Sequence, residues 1–179
     1  MPRTFNLILF IVALLATTTG CTTWDPDNKA NLHKNAANTI KAFRNRDPGL
    51  QRFFDNAYAY AVFPTVAKGG VGIGGAYGEG LVYREGKAMA LTSLTQVTVG
   101  LQLGGQAYHE MIFFRDKRAF ERFKSGQLKL SAQLSAVAVT TGASADASYE
   151  QGVAVFTMAK GGLMYEATVG GQRFSYEPL

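Results

Sequence analysis

The stretch Lys68–Gly80, KGGVGIGGAYGEG, is the most informative part of the sequence for predicting the fold. Its larger apolar residues, Val71, Ile73 and Tyr77, stand among glycines at spacings of two and four, which indicates a β-strand. One face of that strand carries these side chains, while the other face is almost bare. A bare face allows another layer to approach the backbone closely, and we favour a packed helix there over a lipid chain or head group.

The same stretch satisfies the glycine pattern of a dinucleotide site through Gly70, Gly72 and Gly75. That fingerprint requires a strand before the glycines and a helix after them, because the helix N-terminus holds the phosphates. Here the glycines lie within the strand, and the chain has no Gly-Lys-Ser/Thr sequence of a P-loop. The pattern therefore argues against a nucleotide ligand.

Further strands follow along the chain. The alternation of apolar and polar residues in Val97–Leu103 is typical of a half-buried strand. Glu85-Gly86 and Gly170-Gly171 have the composition of two-residue hairpin turns. The sequence AKGG occurs at residues 67–70 and again at 159–162, and we interpret both copies as glycine-rich turns that lead into strands.

Helices are predicted before and between the strands. Apolar residues at spacings of four and three predict a first helix over Asp27–Arg46. Asp47 and Pro48 have the composition of a second helix start, with the Asp47 carboxylate as N-cap. Asp116 caps a short inserted helix that ends at Gly126. With about eight strands, these elements predict an α+β fold whose antiparallel sheet curls into a barrel or sandwich.

Length and composition limit the class of protein. The chain has 179 residues, of which 47% are hydrophobic and 12% aromatic, so it is long enough for one domain with a core. We place that domain at residues 29–179. The formal net charge is +5, and seven of the 20 glycines fall within residues 69–80.

The first 28 residues have the composition of a secretion signal and a tether. Arg3 precedes the apolar run Leu7–Ala16, which is too short for an ordinary membrane span but fits a signal peptide over residues 1–20. Gly20 and Cys21, the single cysteine, resemble a bacterial lipobox. We therefore predict diacylglycerol on the Cys21 sulfur, an acyl chain such as palmitate on its amine, and a lipidated tether over residues 21–28. The alternative is a free or buried thiol in an ordinary secreted protein.

The location follows from that prediction. Thr22 stands after the cysteine where inner-membrane lipoproteins of enteric bacteria usually have Asp. This favours the cell outer membrane, with the domain facing the periplasm.

Residues with catalytic chemistry are sparse. His33 and His109 are the two histidines, and neither has a second histidine or a cysteine at metal-ligand spacing. No nucleophile elbow or carboxylate pair stands out. We therefore predict no enzyme activity, no cofactor, no metal and no nucleic-acid partner.

Three blocks of sequence resemble the SYLF-domain family. The first runs through Tyr58–Pro64 and Lys68–Gly80, the second through Gly100–Phe114, and the third through Lys160–Met164. The resemblance covers roughly residues 32–176 and implies a lipid-binding domain. Eukaryotic members are linked to phosphoinositide membranes and, in fungi, to actin. An actin partner is not expected for an envelope protein.

The sequence thus predicts an outer-membrane lipoprotein whose soluble domain binds anionic phospholipid through phosphoinositide-like head groups. The alternative is a structural or interaction lipoprotein of the envelope with no lipid pocket. Glycine-rich turns beside a lysine expose backbone N–H groups that suit an anion. The predicted head-group residues are Lys68, Gly69, Gly70, Arg84, Lys87, Lys160, Gly161 and Gly162.

Overall fold

Three long antiparallel strands dominate the computed structural model, which describes residues 26–128 and 137–179. They are β1 (Ala59–Arg84), β2 (Lys87–Phe114) and β4 (Val153–Phe174). β2 lies between the other two and pairs with both along nearly its whole length. The short strand β3 (Val137–Ala138) pairs with β4 in parallel, and β5 (Glu177–Pro178) pairs with β2.

The helices lie where the sequence places them. Helix α1 covers Pro26–Arg46, a 3-10 turn covers Pro48–Leu50, helix α2 covers Gln51–Asn56 and helix α3 covers Lys117–Lys124. The predicted α+β class is therefore confirmed. Because α1 begins at Pro26, the last three residues of the predicted tether are helical. The predicted signal peptide, Cys21 and the predicted strand pieces within 129–136 lie outside the described residues.

The described part of the chain has fewer strands than the eight or so predicted, because segments predicted as turns lie within continuous strands. Gly170-Gly171 makes no hairpin: Gly170 pairs with Thr98 and Gly171 with Val97 inside the β2–β4 ladder. The two AKGG sequences are likewise not turns. Ala67 and Gly161 both pair with Ala107, on opposite sides of β2. Glycine is compatible with a turn, but the ladder on both sides keeps these segments extended.

The sheet folds over on itself, and close approach of backbone at glycine permits this. A Cβ on Gly78 would lie 2.8 Å from the Thr65 carbonyl oxygen, and one on Gly80 would lie 2.8 Å from the Phe63 ring. The second half of β1 therefore packs on its own first half. At Gly78 and Gly80 the predicted helix is wrong, because another segment of the same strand packs there, whereas Gly72 on the same face is exposed. No β1–β4 pairing closes a barrel among the described strands.

Each face of the sheet has its own hydrophobic core. The face that carries Phe63, Ile112 and Val155 packs against α3; we call it the concave face. The face that carries Val62, Met111 and Phe156 packs against α1 and α2; we call it the convex face. One sheet serves both cores, so the helical layers stand on opposite sides of it.

Two predicted caps hold helices in place. Asp47 accepts hydrogen bonds from the backbone N–H of Gly49 at 3.0 Å and of Ser144 at 2.7 Å. Burial opposes ionisation of Asp47, but these hydrogen bonds outweigh it and lower the pKa of the carboxyl. Asp116 accepts a hydrogen bond from the Ala119 N–H at 2.9 Å and caps α3. Both N-cap predictions are confirmed.

Candidate functional site

A polar cavity of about 680 Å³ opens on the concave face of the sheet. Sites for small molecules commonly measure about 300–1,000 Å³, so a ligand fits this volume. Polar side chains from all three long strands line it, together with Arg46 of α1 and Thr140. Those from the strands are Lys68, Gln96, Gln106, Tyr108, Glu110, Thr157 and Gln172.

Glu110 and Gln172 meet inside this cavity because the sheet folds over. In the ladders Glu110 pairs with Thr157, and Gln172 pairs with Gln96. Even so, Gln172 Nε2 donates a hydrogen bond to Glu110 Oε2 at 3.0 Å. This contact between distant ladder positions is why we call the face concave.

The buried Glu110 carboxyl keeps one oxygen without a partner. Glu110 is 1% exposed, and its Oε1 lacks a hydrogen bond, as does Oε1 of Gln172. Burial raises the pKa of Glu110 to about 7, against the opposing hydrogen bond from Gln172. Buried polar atoms normally have partners, so two orphan acceptors in a cavity mark a place where a ligand can donate.

The second feature is an exposed apolar patch where the long strands bend. We define the apolar patch as Val71, Ile73, Val97, Val99 and Leu103, whose exposure runs from 59% for Val99 to 76% for Val71. Val71 pairs with Leu103, and Ile73 pairs with Val99, so the side chains lie next to each other on the convex face. The predicted strand Val97–Leu103 is confirmed. It is half-buried as predicted, but its apolar side is the exposed one. Thr98 is fully buried, while Val97 and Val99 are exposed, because α1 and α2 cover a different part of this face.

Basic residues flank the apolar patch along β4. The patch residues of β2 pair with β4 positions 165–171, and Lys160 and Arg173 stand before and after those positions. Both cations are exposed. Lys160 Nζ donates to Thr65 Oγ1 at 2.7 Å. The patch is therefore an apolar surface with positive charge at both ends.

The predicted head-group residues do not form one site. Lys68 lines the polar cavity, whereas Lys160 lines a separate groove with His109, beneath α1. Arg84 and Lys87 flank the Glu85-Gly86 turn, a predicted hairpin that is confirmed. Arg84 contacts Glu85 at 3.5 Å and lies 4.4 Å from the centre of the Tyr58 ring.

The four predicted glycines lie in the sheet beside these lysines rather than in anion-binding turns. Gly69 pairs with Gly105, and Gly70 pairs with Gly104. Gly162 has a φ of +98° and sits against the Gly105 carbonyl, where any side chain would clash. Gly70 and Gly162 lie where backbone segments approach closely, whereas Gly161 has open space around it.

The histidines have structural surroundings. His109 Nδ1 lies 2.6 Å from the Pro64 carbonyl oxygen and its ring packs edge-on against Phe43 of α1. His33 is exposed on α1. Within residues 26–128 and 137–179, no three His, Cys, Asp or Glu side chains group as metal ligands would. No helix in those ranges has the length and apolar character to cross a membrane.

Sequence reasoning missed the central pair of the cavity. Glu110 carried a usable signal, because it is a lone carboxylate at the start of the apolar run Met111–Phe114. Gln172 carried none, because the sequence predicts only that it begins a strand after a turn at Gly170-Gly171. Only the fold-over of the sheet brings the two together.

These features describe an α+β domain with a ligand-sized polar cavity and an uncovered apolar patch. Residues 95–177 match the model of the family Ysc84, described as "Las17-binding protein actin regulator". The chain is also 28% identical over 132 residues to "Beta cell expansion factor A" of Aeromonas veronii. That alignment covers 73% of this chain and 50% of the relative, so the chain spans about half the relative's length.

Together the matches confirm the resemblance to the SYLF family, with the family-model match at residues 95–177. The match contains the second and third sequence blocks. The glycine-rich first block at residues 58–80 precedes it.

Proposed function

We propose that this protein is an outer-membrane lipoprotein whose SYLF domain lies on a bilayer surface and binds anionic phospholipid. The observation that carries the proposal is the apolar patch, where five apolar side chains stand 59–76% exposed on one face. Large exposed apolar patches mark interaction surfaces, because leaving them in water is unfavourable. A bilayer interface accepts such side chains about 5–10 Å deep.

Charge supports a lipid surface as the occupant. Lys160 and Arg173 flank the patch, and the whole chain carries a formal net charge of +5. Each cation near an anionic membrane contributes about 1 kcal/mol, and salt screens this attraction. The SYLF resemblance independently implies lipid binding. The actin partner in the family's description belongs to other members, and we do not assign it to this chain.

The anchor is the second part of the proposal. Cys21 follows the apolar run and Gly20, as the cysteine of a lipobox does, although Thr18 stands where a lipobox usually has Leu; acyl chains on Cys21 would hold the domain at the membrane. Mass spectrometry of the native protein is expected to find diacylglycerol and an acyl chain on a chain that begins at Cys21. An unmodified Cys21 would reject the lipoprotein assignment and leave an ordinary secreted protein.

Vesicle binding tests the domain apart from its anchor. Residues 21–179 with Cys21→Ser, which leave out the predicted signal peptide, should co-sediment with vesicles that contain phosphatidylglycerol, more strongly as the anionic fraction rises and less strongly in high salt. Val99→Asp should weaken this binding at least about tenfold, because a charge at the patch opposes insertion.

Leu179→Asp is the matched control for this experiment. Leu179 is 56% exposed and lies outside the patch, so the variant adds the same charge elsewhere. It should bind vesicles nearly as the parent does. If Val99→Asp and Leu179→Asp bind equally well, the patch is not the lipid surface. If the parent binds anionic vesicles no better than neutral ones, the interaction-lipoprotein alternative stands.

A further inference from the structure

Two acceptor oxygens in the polar cavity have no donor. They are Oε1 of Glu110 and Oε1 of Gln172, both buried, and the side chains are joined by a 3.0 Å hydrogen bond through their other polar atoms. Leaving a buried acceptor unpaired costs about 1–3 kcal/mol, and more for a charged group. A ligand that brings N–H or O–H donors to this point recovers that free energy.

The donor that suits this pair best is a primary ammonium group. An ammonium carries three N–H donors, so one group can serve both oxygens. It also has the charge that complements a carboxylate, and charge-assisted hydrogen bonds are roughly twice as strong as neutral ones. A metal ion suits the pair less well, because the described residues form no group of three or more His, Cys, Asp or Glu side chains that could hold one.

The cavity also contains cations, which restrict the ligand further. Lys68 of β1 and Arg46 at the end of α1 line the same space as Glu110. A ligand with only positive charge would be repelled by them. A ligand that joins an ammonium to an anionic group matches both sides, and phosphate is the anion that lysine and arginine commonly bind.

We propose that the polar cavity binds an aminophospholipid head group, with its ammonium at Glu110 and Gln172 and its phosphate toward Lys68. Phosphoethanolamine is the simplest such group. The proposal deepens the proposed function and rests on it, since it adds a selective head-group pocket to a lipid-binding domain. It concerns a different surface from the apolar patch, so the two can fail separately.

Methylation of the amine gives a sharp test. Glycerophosphoethanolamine and glycerophosphocholine have the same charges, but the choline nitrogen has no N–H donor. In calorimetric titrations of residues 21–179 with Cys21→Ser, the ethanolamine compound should bind at least about tenfold more tightly, the value of one charge-assisted hydrogen bond. Equal affinities, or binding of neither, would overturn the proposal.

Variants assign the preference to its residues. Glu110→Gln should abolish the preference for ethanolamine, whereas Glu150→Gln, the same change on an exposed residue outside the cavity, should keep it. Lys68→Gln should weaken the binding of both compounds by the same factor, because both contain the phosphate. If Glu110→Gln melts too low to test, Gln172→Met takes its place. If the variant that folds still prefers the ethanolamine compound, the proposal is overturned.

Vesicle binding shows whether the ligand of the pocket is a membrane lipid or a soluble compound. Adding phosphatidylethanolamine to phosphatidylcholine vesicles should increase binding in the parent and not in Glu110→Gln. An increase that persists in Glu110→Gln would reflect bilayer packing and count against the pocket. Phosphatidylglycerol vesicles without ethanolamine lipid report only on the proposed function. If they fail to bind while the ethanolamine preference remains, the anionic-lipid proposal falls and the pocket stands.

Discussion

Gly80→Val is expected to unfold the protein or to lower its free energy of unfolding by at least about 3 kcal/mol, the upper range for overpacking a core. Gly80 is fully enclosed where β1 packs on itself. A Cβ there would meet the Val62 carbonyl oxygen and lie 2.8 Å from the Phe63 ring. Neither neighbour can withdraw, since Phe63 is fully buried in the core beneath α3.

The matched control is Gly161→Val. A Cβ at Gly161 meets nothing within 4 Å, and this glycine does not have a positive φ. The same substitution should therefore leave the urea midpoint nearly unchanged, as surface substitutions usually do. If both variants unfold at the parent's midpoint, the two halves of β1 do not pack against each other as described.

Stability should fall as the pH rises from about 4.5 to about 8, through ionisation of Glu110. The folded protein raises the pKa of this buried carboxyl from 4.5 to about 7, so the folded state holds a proton that the unfolded state releases. Stability is then fully present below the unfolded value and is lost as the pH passes the folded value. A shift of this size corresponds to roughly 3 kcal/mol.

Glu110→Gln isolates this contribution, because glutamine has nearly the same shape and does not titrate. The free energy of unfolding of the variant minus that of the parent should increase with pH across this range. His109 also titrates nearby: burial lowers its pKa, so it favours stability as the pH rises toward 6.5. The subtraction removes that opposing effect. Parallel stability curves would show that Glu110 is ionised in the folded protein without penalty.

Local signals in the sequence were reliable where one or two residues determine the conformation. Asp47 and Asp116 cap helices as predicted, because a carboxylate before a helix satisfies free backbone N–H groups wherever it occurs. Glu85-Gly86 forms the predicted hairpin with positive φ at both residues. The same reasoning gave a wrong prediction at Gly170-Gly171, because pairing with β2 keeps these two residues extended.

The candidate site was less accessible to sequence reasoning. The sequence predicts Lys68 as a head-group residue, and Lys68 does line the polar cavity. The glycines expected to bind phosphate beside it are instead paired within the sheet. Glu110 and Gln172 are 62 residues apart. Nothing in the composition or spacing around either residue shows that the other lies within hydrogen-bonding distance.

The α+β class, the helix positions, one hairpin and the family resemblance could be read from the residues alone, because these depend on short periodic patterns and on residue types at caps and turns. Which strand faces are covered depends on how distant segments pack in three dimensions. Alternation shows that Val97 and Val99 share a face with each other, but it does not show whether anything packs on them. The fold-over at Gly78 and Gly80 answers that question: it buries Ala76, Gly78 and Gly80 on the nearly bare face of β1, leaves the apolar patch in solvent and brings together the residues of the polar cavity.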